Sequence, residues 1–281
     1  MKITLTHTMS FSLATPPRAL QHVLLTALGT PQQKIERWSI AMPGFAEAVT
    51  FRDAFGNRAQ LVSQVKPEDP IVVTVTGVVE TTDKAGVLGR LDYDPMPAIF
   101  RRPTALTKPA PELVEGLTND GGRIAMLHEL MDRVNRAFSL PAPAEAAPGQ
   151  SQSQSQDGQS QSQGGQILPE ETTESAIAAA KENPADFAHA LIGAARALDI
   201  PARYVTGYLA GDDGAASFHA WAECWDERLG WIGFDAMFNL CPADTYIRLA
   251  AGLDAMGTMP LRCVPVWPEM PAETVEMVVT G

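Results

Sequence analysis

The stretch Pro70–Thr82 reads PIVVTVTGVVETT. β-Branched side chains fill it, and these lose rotamer freedom in a helix but pack well on a pleated surface. The stretch predicts a strand. KITLTHTMSFSL, KIERWSIAM and AVTFRDAFGNRAQLVSQV, earlier in the chain, alternate polar and apolar residues in the same way. A period of two puts one side of each segment into a core and leaves the other wet. DAFGNR supplies a turn between two strand-like arms. Several strands with little helix between them predict a β-sandwich-like domain over residues 1–107. The proline-rich RRPTALTKPAPE (101–112) marks its boundary.

The pattern changes in residues 108–281. Ile124, Leu127, Met131, Val134 and Phe138 recur at helical spacing, which predicts an amphipathic helix over 121–138. A low-complexity insertion follows at 149–166, GQSQSQSQDGQSQSQGGQ. Two readings of it stand. One is a flexible polar linker. The other is a hairpin, because the tract is mirror-symmetric about Asp157-Gly158, a pair suited to a two-residue turn. TTESAIAAAK predicts a short helix capped by Thr172, and PADFAHALIGAARALDI a second helix. ARYVTGYLA, SFHAWAECWD, GWIGFDAMFN and the tail ETVEMVVT predict strands. The fold class is α+β.

Composition narrows the function. The formal charge of −12, from 33 acidic and 21 basic residues, argues against nucleic acid and against an anionic membrane surface as partners. No run of about 18 apolar residues is present, so no transmembrane helix is expected. The start of the chain alternates instead of forming the continuous apolar stretch of a signal peptide. Cys224, Cys241 and Cys263 lack metal-type spacing, and their odd number suggests reduced thiols in a cytoplasmic protein. Glycine-rich phosphate loops are absent, and HELMD at 128–132 has the wrong spacing for a metalloprotease helix. No cofactor or metal is expected.

The remaining chemistry lies in His219 and Asp235, on two successive predicted strands. His219, Trp221 and Glu223 share one strand face; Ala220, Ala222 and Cys224 share the other. If the strands pair, the carboxylate reaches an imidazole nitrogen and fixes its tautomer. Taken alone, such a pair is more often structural than catalytic. Glu223 reads more readily as a solvated strand residue than as a partner of His219. Arg203 and Tyr204 read as structural, and His189 as a packing or hydrogen-bonding residue.

Together, DFAHALIGAARALDIPARYVTGYL, HAWAECW and GWIGFDAMFN resemble the bacterial transglutaminase-like family, which has the papain-like cysteine-peptidase fold. The N-terminal third, including AFGNRAQLV, resembles the β-rich region attached to that family, and the tail from YIRLAAGLD to ETVEMVVT resembles its ending. The resemblance implies a core of helices packed on an antiparallel sheet. It also implies that His219 holds the place of the catalytic base and Asp235 that of the residue orienting it. The family helix opens Gly-Val-Cys-x-Asp-Phe-Ala-His, with Cys as nucleophile. Asp186, Phe187, Ala188 and His189 match that pattern, and the Cys position falls on Pro184.

Proline removes two catalytic elements at once. It carries no thiol, and it has no backbone N–H to help hold an oxyanion, a donor whose loss costs about 3 kcal/mol of transition-state stabilisation in comparable sites. The replacement suits a helix start instead: Asn183 is a favoured N-cap, Pro184 a favoured first helical residue and Asp186 an acidic group in the first turn. The expectation is an inactive relative that binds a peptide or protein in a cleft near Asn183, Asp186 and Trp221, with a homo-oligomer possible. The alternative is an active thiol peptidase, amidase or acyltransferase with a relocated nucleophile. Cys224 is then the first candidate, with His219 as base and Asp235 as orienter.

Overall fold

The computed structural model describes residues 1–13, 16–139, 183–211, 216–266 and 272–280. The Ser/Gln tract and the Thr172 helix lie outside the described residues. Among the described residues, thirteen strands and three α-helices follow one another in this order. The strands are β1 Lys2–Phe11, β2 Arg18–Val23, β3 Gln33–Ala41, β4 Val49–Arg52, β5 Arg58–Val65, β6 Ile71–Thr81, β7 Val87–Gly89, β8 Ala202–Ala210, β9 Ala216–Asp226, β10 Gly230–Phe234, β11 Tyr246–Gly252, β12 Leu261–Val264 and β13 Ala272–Thr280. The helices are α1 Pro111–Val114, α2 Arg123–Ser139 and α3 Pro184–Ala197.

Among the described residues three sheets form, ordered β13-β1-β6-β3, β12-β2-β5-β4 and β11-β8-β9-β10-β7. The alternation read in β1 is realised: Ile3, Leu5, Met9 and Phe11 are buried, and they share a core with Val23, Val62, Val73 and Val75. That core continues onto Tyr208, Ala210, Ile247 and Leu249 of the five-stranded sheet. A second core lies where α2 and α3 cover Ala202, Tyr204, Ala220, Ala222, Cys224 and Phe234.

Strand pairing crosses the boundary expected at residue 107. β7 pairs with β10 of the central sheet, while β12 returns to β2 and β13 to β1. The cause is edge protection: the tail covers backbone groups that β1 and β2 otherwise leave open. Two side-chain amides do the same for the outer edge of β11. Gln33 accepts from the Arg248 N–H at 2.7 Å and donates to its C=O at 2.8 Å. Asn57 accepts from the Ala251 N–H at 2.8 Å and donates to its C=O at 2.7 Å. An amide offers the same donor and acceptor pair as a peptide group, so each acts as a one-residue substitute strand.

α3 starts as its sequence predicts. Asn183 is its N-cap and accepts from the Ala185 N–H at 3.1 Å, a bond worth about 1 kcal/mol. At the other end, Arg196 is buried and donates to the carbonyls of Phe100, Ala202 and Leu253 and to the Thr107 hydroxyl. In the middle, His189 stacks on Tyr204 at 4.8 Å and accepts from the Ala255 N–H through Nε2 at 3.1 Å. This is the packing role expected of it.

A Cβ on Gly77 would lie 2.5 Å from the Trp38 ring, which is held in place by its donation to the Leu25 carbonyl. Gly77→Ala is expected to lower stability by about 1–3 kcal/mol in urea titration, the usual cost of overpacking. Burial lowers the pKa of His189 from 6.5 to about 4. The unfolded chain therefore binds a proton that the folded chain refuses. The contribution is complete above pH 6.5 and is lost as pH falls toward 4, a change on the order of 3 kcal/mol. His189→Gln is expected to flatten that part of the stability–pH curve, measured by denaturant midpoints across the window.

Candidate functional site

β9 and β10 pair antiparallel, with Phe234 opposite Ala222 and Ile232 opposite Cys224. The alternation then puts Asp235 on the same face as His219 and Trp221. The two side chains meet: His219 Nε2 lies 2.6 Å from Asp235 Oδ2. His219 is 3% exposed and Asp235 1%. With Nε2 turned to the carboxylate, Nδ1 is the nitrogen left to face anything else.

Asp235 is satisfied from three directions. Its Oδ2 also accepts from the Tyr246 hydroxyl at 2.8 Å, and its Oδ1 accepts from the Met237 N–H at 3.0 Å. Burial, and then the charge of Asp235, raise the Tyr246 phenol well above its ordinary value. Tyr246 therefore remains a donor. Tyr246 carries no motif signal in the sequence; only its place at the head of a strand, two residues before Arg248, hints that both side chains share a face.

Aromatic rings close over the pair. Trp221 lies 6.4 Å from His219 and 5.4 Å from Tyr246, between centroids. Gly207, opposite His219 on β8, gives the Trp221 ring its space: a Cβ there would sit 2.6 Å from the indole. Phe238 stands 5.6 Å from His219 and is 49% exposed. It forms the rim of the site with Leu240, which is also exposed.

Further along the same face lies a buried ion cluster. Glu223 is 2% exposed, which corrects the expectation of a solvated strand residue. It accepts from Arg203 Nε at 2.6 Å and Arg248 Nε at 2.7 Å. Burial pushes its carboxyl up, but the two guanidinium groups outweigh that and hold it below its ordinary value. Arg203 also approaches Asp94 at 3.0 Å and lies 4.0 Å over the Trp231 ring. The signal for this burial was present in HAWAECW, where Glu223 sits in phase with Trp221 and Trp225. Glu223 serves the two arginines and not His219.

Asn183, Pro184 and Asp186 begin α3, whose body packs on the opposite face of the sheet, over Ala220, Ala222 and Cys224. Burial raises the Asp186 carboxyl above its ordinary value. Motif alignment, and not side-chain contact, assigns Pro184 the nucleophile's place. Cys224 points into the helix-side core, away from the His219 face, and burial pushes its thiol up to about 12. Cys263 lies in the core shared by β1, β2 and β6, with its thiol also raised to about 12 by burial. Cys241 is partly buried and raised for the same reason. Among the described residues, no group of three or more His, Cys, Asp or Glu side chains could hold a metal ion, and no helix is long and apolar enough to cross a membrane.

Comparison with known proteins places these features in context. Residues 3–80 match the bacterial transglutaminase-like N-terminal region, and residues 155–236 match the transglutaminase-like superfamily core. An uncharacterized protein of Mycobacterium leprae is 32% identical over 84 residues. The match covers 27% of this chain and 29% of that protein, so it spans under a third of the relative's length. A candidate cysteine protease from Cytophaga hutchinsonii has the same fold at TM-score 0.64 and 20% identity, with 100% of this chain and 92% of that chain covered. The periplasmic domain of TgpA from Pseudomonas aeruginosa covers 84% of this chain and 90% of its own at 17% identity, with a TM-score of 0.33 that carries no structural argument. Both segments are matched in order, and the His219–Asp235 pair lies within the second; the chain carries a transglutaminase-like core preceded by the bacterial transglutaminase-like N-terminal region.

Proposed function

We propose that this protein is a catalytically inactive transglutaminase-like protein that uses the His219 site to bind a peptide or protein partner in the cytoplasm. The observation that carries the reading is Pro184, which aligns with the family's nucleophile and has neither a thiol nor an N–H to offer. The site retains a base and the carboxylate that orients it. It lacks the group that such a base would deprotonate.

The reading with a relocated nucleophile has little support. Cys224 faces the helix side, while His219 faces the reverse side. Its thiol, raised by burial to about 12, is protonated at neutral pH, and the thiol form is a poor nucleophile. The binding reading draws support from the exposed rim of Phe238 and Leu240 beside a buried, hydrogen-bonded imidazole. Apolar contact around one fixed polar group is the usual make-up of a recognition site. Three unpaired cysteines suit a reducing compartment.

The test is intact-mass labelling of the folded protein with iodoacetamide at neutral pH. The expected result is slow modification, with Cys241 first because Cys224 and Cys263 are buried, at a rate unchanged by His219→Ala. A single fast, stoichiometric adduct that disappears in His219→Ala would establish an active thiol and end the binding-only reading.

A further inference from the structure

β3 is the last strand of the β13-β1-β6-β3 sheet, so no described strand pairs with its outer edge. The direction of its first backbone groups follows from their hydrogen bonds. The Gln32 carbonyl accepts from the Thr82 N–H at 2.8 Å, on the β6 side. Gln33 instead exchanges both of its backbone bonds with Thr30, at 3.2 and 2.8 Å. Backbone groups alternate along an antiparallel strand. Lys34, opposite Glu80, therefore faces β6, and the N–H and C=O of Ile35 face outward. The bulge between Ile35 and Arg37 ends this register, so Ile35 is the position at which the open edge is best defined.

A groove of about 590 Å³ runs along that edge. Pro31, Lys34 and Ile35 form one wall; Arg90, Leu91 and Tyr93, which follow β7, form the other. Its charged groups are Lys34, Arg90 and Asp92, a net positive lining on a chain of formal charge −12. Both walls are held before anything binds. Gln33 is fixed by the Leu28 carbonyl and by both backbone groups of Arg248. Tyr93 donates to the Gly29 carbonyl at 3.2 Å beneath the Arg52 guanidinium. Arg90 lies 4.9 Å over the Trp225 ring and donates to the Glu227 carbonyl at 2.7 Å. Fixed walls reduce the ordering cost of association.

We propose that this groove binds an extended acidic peptide segment of a partner protein, which adds as a short strand to β3. One peptide residue exchanges N–H···O bonds with Ile35, and a neighbouring carboxylate sits between Lys34 and Arg90. Addition of a strand to an open edge draws its affinity from backbone bonds and its specificity from side chains on either wall. The exposed Lys34–Glu80 pair, at 3.2 Å, gives up little on exchanging its carboxylate for the peptide's. The groove shares Gln33 with a cavity of about 10 Å³ lined by Trp221, Tyr246 and Arg248, which has room for one water at most. Groove binding therefore goes beyond the proposed role of the His219 site, and each stands without the other.

The test uses fluorescence anisotropy of the full chain with three labelled hexapeptides: Val-Glu-Val-Glu-Val-Glu, the same peptide with alternate backbone nitrogens methylated, and Val-Lys-Val-Lys-Val-Lys. The glutamate peptide is expected to bind, with the lysine peptide and the methylated peptide of the bonding register each weaker by about tenfold or more. Ile35→Pro removes an N–H that the sheet does not use, a substitution tolerated on an edge strand, and is expected to weaken glutamate-peptide binding by a similar factor. Equal binding of all three peptides, no binding of the glutamate peptide at about 1 mM, or undiminished binding by a folded Ile35→Pro protein would overturn the proposal. The methylated peptide decides the matter without any variant.

Discussion

Asp235 is a carboxylate with 1% exposure, and a buried charge of this kind is tolerated only when its lone pairs are occupied. Three donors occupy them: an imidazole nitrogen from β9, a phenol from β11 and a backbone N–H from the chain just after β10. The arrangement ties together strands that lie on both sides of β8 in the sheet order. It also shapes the turn after Asp235, where Asp235 and Leu240 exchange backbone bonds at 2.8 and 3.1 Å and present Phe238 beside the imidazole. The ring of His219 is thus oriented by a structure that reaches well beyond a pair of residues.

The same face solves a second burial problem. Glu223 lies between two guanidinium groups, one of which is stacked on Trp231. Removing one partner from such a cluster leaves a charge without compensation, whereas the complete set is close to neutral in its net effect. The cluster gives the site a rigid floor. Arg248 links it to the β13-β1-β6-β3 sheet as well, because its own backbone is held by Gln33 from β3. Positioning of the His219 side of the sheet therefore depends on the N-terminal sheets, which explains why the β-rich region and the core form one set of shared contacts.

Much of this was legible in the sequence because strand alternation reports burial directly. β1, β6, β8, β9 and the tail strand were evident as alternating or β-branched runs, and Asn183-Pro184 announced the start of α3. The meeting of His219 with Asp235 followed from two adjacent strands with matching phase. Tyr246 was not legible, since a lone tyrosine at a strand head says nothing about which strand lies across the sheet from it. The partners of β7, β12 and β13 were hidden for the same reason: pairing between distant segments leaves no local pattern. Glu223 reads as solvated from its own polarity alone, although the two tryptophans in phase with it mark that face as inward.

The proposed inactivity rests on Pro184 holding the place of a lost nucleophile in a chain whose His219 and Asp235 still meet at 2.6 Å. Pro184→Cys tests this directly, through the rate at which iodoacetamide alkylates the new thiol across pH, with and without His219→Ala. A thiol at a helix N-terminus paired with an imidazole is expected to have a pKa below the ordinary value of about 8.5 and to lose that shift when the imidazole is removed. An ordinary titration, unchanged by His219→Ala, would show that residue 184 does not face the retained pair and would contradict the account.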